Sequence, residues 1–155
     1  MSWAPFGSTS EPPEPPEPPA DGPPSPASDP GTGAAYLPRE PARRLAIVTC
    51  MDSRIDPLAD LGLARGDAMV LRNAGAQVSD DVERSLRMVH DKLGVTEVWL
   101  VAHSDCVAHG GADDVAKAEL RRGVPRIRNA VPGVTLRLLF LDFASGTAAT
   151  VEPPG

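Results

Sequence analysis

The sequence predicts an α/β fold built on a parallel sheet, and three observations point there. Short apolar runs recur at residues 44–49, 68–71, 97–102 and 134–142, and segments with helical periodicity lie between them. The first run contains Leu45, Ala46, Ile47, Val48 and Thr49 without a charged break, as suits an interior strand covered on both faces. Strands that alternate with helices imply right-handed crossovers and parallel pairing. The order of the strands is not readable from this pattern.

Each element has a local reason. After the first strand, Pro57 stands at the start of a short helical turn through Leu58 and Leu61, a position where the missing N–H of proline costs nothing. The second strand, residues 68–71, delivers Arg72-Asn73-Ala74-Gly75-Ala76 at its end. Asp80 and Glu83 have capping-box spacing and open a helix whose Val82, Leu86, Val89 and Leu93 form one apolar stripe, with Gly94 placed to stop it. The third strand ends at His103. Residues 113–122 read as a helix and 125–131 as a second short one. Residues 134–142 form the fourth strand, and Ser145-Gly146 turns into a last short one.

Composition divides the chain into a tail, residues 1–41, and a domain, residues 42–155. Thirteen of the 18 prolines fall in the tail, together with six acids against the single Arg39, so most of the net charge of −6 lies there. The repeat of Glu-Pro-Pro between Glu11 and Pro19 cannot bury enough apolar surface to offset an ordering cost of about 1–2 kcal/mol per residue. The expectation is a disordered segment with polyproline II character. The domain is close to electrically neutral, without the basic surplus of a nucleic-acid binder. No run approaches the ~20 apolar residues of a membrane span, and the N-terminus lacks the pattern of a secretory signal. A soluble, cytoplasmic protein that binds neither membrane nor nucleic acid is expected.

Chemistry concentrates at the ends of two strands. Cys50-Met51-Asp52-Ser53-Arg54 follows the first apolar run, and His103-Ser104-Asp105-Cys106 follows the third. Loops at the carboxyl ends of parallel strands can converge side chains that the strands themselves must spend on packing. Cys50, His103 and Cys106 would offer two thiolates and an imidazole, a soft set suited to zinc with a fourth position open. A cysteine closing an apolar strand also reads as a small buried hydrophobe. Arg54 can neutralise Asp52 through a bidentate pair, and the same two residues also read as an ordinary surface ion pair. His109 is near enough to act as a proton shuttle; the plainer reading is a solvated loop histidine.

Taken together, Cys50-x-Asp52-x-Arg54, Arg72-Asn73-Ala74-Gly75, the helix start at Asp80-Asp81 with Ser85-Leu86, His103-x-x-Cys106 and the ending Phe140-Leu141-Asp142-x-x-Ser145-Gly146 resemble the β-class carbonic anhydrases in their short bacterial form. The resemblance runs from Arg44 to Val151. It implies four parallel strands with an added antiparallel edge strand, flanked by helices, and a homodimer or higher homo-oligomer with its site near the subunit interface. It further implies Zn2+ held by Cys50, His103 and Cys106, with Asp52 and Arg54 as a catalytic dyad in which Asp52 either caps the metal or yields to water. The reaction implied is reversible hydration of CO2 to bicarbonate and a proton by zinc-bound hydroxide, a carbonate dehydratase (lyase) activity. The chain departs from the family's usual pattern at Val107, where glycine is usual, at Ala102, and in a shortened stretch between Gly111 and Val124. Two other readings follow: a zinc hydrolase of a CO2-like molecule such as carbonyl sulfide or carbon disulfide, and a zinc-stabilised binding protein without turnover.

Overall fold

The computed structural model describes residues 37–153, so the expected Pro- and Glu-rich tail lies outside the described residues except for 37–41. Five strands form one sheet: β1 (Leu45–Cys50), β2 (Ala68–Asn73), β3 (Glu97–His103), β4 (Thr135–Asp142) and β5 (Thr147–Thr150). Their order is β2-β1-β3-β4-β5. The first three pairings are parallel, and β5 runs antiparallel to β4. Two long helices, α1 (Asp80–Leu93) and α2 (Asp113–Ala130), complete the domain.

This strand order explains which face each connection covers. The chain leaves β1 toward β2 on one side, then returns past β1 to β3 and continues to β4 on the other. Right-handed crossovers that travel in opposite directions along a sheet lie on opposite faces. Accordingly, α1 and α2 share one face, where Val82, Leu86, Val89, Leu120, Val124 and Ile127 pack against Val48, Val98, Leu100 and Leu138. The β1-to-β2 connection covers the other face with Ile55, Leu58, Leu61 and Leu63 against Leu45, Ile47 and Val101. Between β1 and β3 the direction of travel reverses, and the crevice at their carboxyl ends is the place where open α/β sheets hold ligands.

The local elements follow the sequence with several differences: β2 runs past the expected 68–71 to Asn73, and Ala74–Ala76 form a 3-10 turn. Arg44 lies outside β1 at φ 52; its carbonyl accepts the N–H groups of Thr96 and Glu97, and its Nε donates to Gly94 O at 2.8 Å. The turn after Pro57 is a 3-10 segment, Ala59–Leu61, ended by Gly62 at φ 67. Helix α1 is capped by Ser79, whose Oγ accepts from the Val82 N–H at 3.4 Å, and Asp80 is already helical. The two short helices expected over residues 113–131 are one. Pro125 removes a single backbone bond, while the buried stripe of Leu120, Val124 and Ile127 runs through it and keeps the helix continuous.

Among the described residues no helix is long and apolar enough to cross a membrane.

Candidate metal centre

Cys50 ends β1 and His103 ends β3, neighbouring parallel strands paired as Thr49 with Val101. Three residues on, Cys106 turns back into a 3-10 segment, Val107–His109. The result is a buried cluster in which the three ligand-type atoms lie within 4.8 Å of one another. The two Sγ atoms are 3.9 Å apart and both cysteines are free. Two thiolates on a tetrahedral ion with metal–sulfur bonds of ~2.3 Å would be about 3.8 Å apart. The spacing therefore suits a shared metal ion.

The histidine supplies an independent sign. His103 Nδ1 lies 2.9 Å from the carbonyl of Ser104, which can only accept, so Nδ1 carries the proton and Nε2 is left with its lone pair. Nε2 is buried and has no hydrogen-bond partner among the described residues. A buried, unpaired acceptor is costly. Facing two thiols, it is placed to serve as a ligand, and a backbone carbonyl on the other ring nitrogen is one of the common partners of a metal-bound imidazole.

Backbone and neighbouring side chains hold the rest of the site. Arg72 donates from Nε to Cys50 O at 2.9 Å and from a terminal nitrogen to Asp52 O at 2.7 Å, which fastens the loop leaving β1 to the end of β2. The Gly75 N–H donates to Cys50 Sγ at 3.3 Å. Burial raises the Cys106 thiol pKa above its ordinary value, and the Ala108 amide opposes that shift.

Asp52 and Arg54 form the bidentate pair anticipated in the sequence. Arg54 donates from Nε to Oδ1 at 3.0 Å and from Nη2 to Oδ2 at 2.8 Å, and its backbone N–H reaches Oδ1 at 3.0 Å. These bonds hold the Asp52 carboxyl far below the usual carboxylate range, so it is ionised throughout the working range of pH. Its Oδ2 lies 4.0 Å from His103 Nε2, at the edge of the cluster.

Two residues around the dyad escaped the sequence reading. Asp105 accepts from Arg54 Nη1 at 3.0 Å through its carboxylate and from Nη2 at 3.2 Å through its carbonyl. Phe143 places its ring 4.6 Å from the Arg54 guanidinium carbon and 5.1 Å from the His103 ring, with its N–H on Ser104 Oγ at 2.9 Å. Asp105 could have been suspected as the acid beside Cys106. Phe143 carries no such signal, because it follows β4 and meets the site only through the sheet.

The cluster opens into a cleft of about 700 Å³ lined by Met51, Asp52, Arg54, Ala74, Val107 and Ala108 beside the two cysteines. The fold and site thus define an α/β domain with a Cys-His-Cys group able to hold a metal ion at the switch of its parallel sheet, backed by an Asp-Arg pair. The family model for carbonic anhydrase matches residues 45–135. The chain belongs to the carbonic anhydrase family, in its β-class branch. It is 44% identical over 85 residues to β-carbonic anhydrase 1 of Mycobacterium tuberculosis, covering 55% of this chain and 52% of that one. It is 41% identical over 83 residues to a carbon disulfide hydrolase of Saccharolobus solfataricus, covering 53% of this chain and 41% of that one. The chain thus spans about half the length, or less, of these curated relatives. The carbonic anhydrase structure from Streptococcus mutans superposes with a TM-score of 0.70 at 32% identity, over 77% of this chain and 88% of that one.

Proposed function

We propose that this protein is a zinc-dependent carbonate dehydratase that interconverts CO2 and bicarbonate. The observation that carries the reading is Nε2 of buried His103, without a hydrogen-bond partner among the described residues, facing the Cys50 and Cys106 thiols, with an ionised Asp52 at their edge. Two sulfur donors and one imidazole suit zinc and leave a fourth position for chemistry. Bound there, zinc would supply a Lewis acid that makes water acidic enough to serve as a nucleophile near neutral pH.

The chain's own residues account for the rest. Asp52 is an acceptor only, and with Arg54 fixing both its oxygens it can orient a proton-bearing nucleophile without taking the proton away. Arg54 is in turn held by Asp105 and by the face of Phe143, so the carboxylate is presented in one direction. Met51, Ala74, Val107 and Ala108 give the cleft an apolar wall suited to a small uncharged substrate. If Arg54 releases it, Asp52 is near enough to reach toward the cluster and cap the metal.

The assembly proposed is a homodimer or higher homo-oligomer, supported by the exposed apolar side chains of Met51 and Val107 at the mouth of the site and Val70 on edge strand β2. Two buried thiols without a disulfide favour a reducing compartment, which supports a cytoplasmic setting.

Stopped-flow CO2 hydration by zinc-loaded wild type and Asp52→Asn, from about pH 6.5 to 9 to span the ~7–9 range of zinc-water pKa values, tests the reading. Active wild type and a variant that keeps zinc but loses most turnover are expected. Zinc-loaded wild type no faster than buffer would reject CO2 hydration. A second reading, hydrolysis of carbon disulfide or carbonyl sulfide, is favoured by the apolar Val107 side chain, 88% exposed at the cleft. Running both substrates in parallel separates it, and inactivity on all three would leave a zinc-stabilised binding protein.

A further inference from the structure

His109 is not the solvated loop residue that its place in the sequence suggests. Its Nε2 lies 3.0 Å from the carbonyl of Gly75, 34 residues away in the chain. A carbonyl oxygen only accepts, so Nε2 carries the proton and donates. Gly75 itself adopts φ 75 and ψ 16, a left-handed conformation, and its N–H is the donor to Cys50 Sγ. A Cβ on Gly75 would sit 2.7 Å from Nε2 and 2.9 Å from Cε1 of His109. The missing side chain therefore serves twice: it permits the turn, and it makes the seat for the imidazole. His109 thus reaches the Cys50 sulfur through Gly75.

We propose that His109 is a positioning residue for the metal centre: its Nε2–H clamps the Gly75 carbonyl, holds the left-handed turn, and keeps the Gly75 N–H aimed at Cys50 Sγ. The inference rests on the reading of Cys50 as a metal ligand. An N–H dipole directed at a thiolate withdraws electron density that the sulfur would otherwise give to the metal. Loss of that bond makes the sulfur a stronger donor and leaves the ligand less well oriented, the two effects by which outer partners tune metal sites.

Cobalt(II) titrated into the metal-free full chain supplies a readout other than turnover, because sulfur-to-cobalt charge-transfer absorption reports the thiolates directly. Wild type, His109→Leu and His109→Gln are compared; leucine fills the space without a donor, and glutamine restores one. In His109→Leu the band is expected to move to lower energy and apparent cobalt affinity to fall about 10-fold, with both recovered in His109→Gln. Leucine indistinguishable from wild type, or glutamine displaced as far as leucine, would overturn the role of the donor. Should His109→Leu fail to fold, a spin-half cadmium isotope in wild type and His109→Gln decides the matter. Scalar coupling from cadmium to the Gly75 amide proton is expected in both, and its absence from wild type overturns the clamp. Wild type that takes up no cobalt, zinc or cadmium would instead remove the metal reading and this inference with it.

Discussion

The Sγ atoms of Cys50 and Cys106 lie 3.9 Å apart in a buried cluster although 56 residues separate them in the chain, and no disulfide joins them. With His103 Nε2, which has no hydrogen-bond partner among the described residues, the two thiols form a group that could hold one metal ion. Binding energy at such a site is folding energy, because the unfolded chain has no preformed cluster.

Metal removal is therefore expected to destabilise the fold. With free zinc at 100 times its dissociation constant the linkage amounts to about 2.7 kcal/mol. Chelated wild type, and Cys50→Ser or Cys106→Ser, should melt at lower temperature than zinc-loaded wild type and carry less zinc by elemental analysis. A Cys106→Ser protein with full zinc content and unchanged melting would contradict the ligand assignment.

The pH dependence has two opposed parts. Burial first, then the neighbouring Cys50, raise the Cys106 thiol above its ordinary value of 9.0 in the metal-free fold. A raised folded pKa contributes stability that is intact below the unfolded value and lost as pH climbs from about 9 through the folded value, so metal-free protein should weaken in alkali. Metal affinity runs the other way, falling about tenfold per pH unit of acidification for each proton that must leave a ligand. Chelator competition and denaturant melts across pH measure the two separately; affinity that rises on acidification would refute the thiolate assignment.

Gly123 of α2 faces Val78 and Leu100, and an added Cβ would meet their side chains at 2.7 and 2.9 Å. Overpacking costs about 1–3 kcal/mol, against a helix-propensity gain of about 1 kcal/mol for alanine. Gly123→Ala is expected to lower stability by up to about 2 kcal/mol in urea melts. A more stable variant would mean that helix and sheet separate at little cost.

Thr49 is the other buried residue with an unpaired polar atom among the described residues, its Oγ1. No metal explains it. A buried hydroxyl without a partner costs about 1–3 kcal/mol, and valine has nearly the same shape. Thr49→Val is expected to stabilise the protein by about 1 kcal/mol with zinc content unchanged. Destabilisation would point to a water bound at that hydroxyl.

Much of this protein was legible in its sequence because the signals are local. Continuous apolarity marks β1, the stripe of Val82, Leu86 and Val89 marks α1, and the strand-end positions of Cys50 and His103 follow from where apolar runs stop. The Asp52–Arg54 pair is legible for the same reason, since two residues of separation suffice to form it. Tertiary structure decided what depends on neighbours. The order β2-β1-β3-β4-β5 brings Cys50 beside His103 and sends the β1-to-β2 connection to the face opposite both helices. Burial of Leu120, Val124 and Ile127 overrode Pro125 and joined two expected helices into α2. Asp105, Phe143 and His109 acquire their roles only by contact with Arg54, His103 and Gly75. Periodicity and spacing describe a chain's own neighbourhood, whereas a hydrogen bond across 34 or 51 residues exists only after the sheet has brought its ends together.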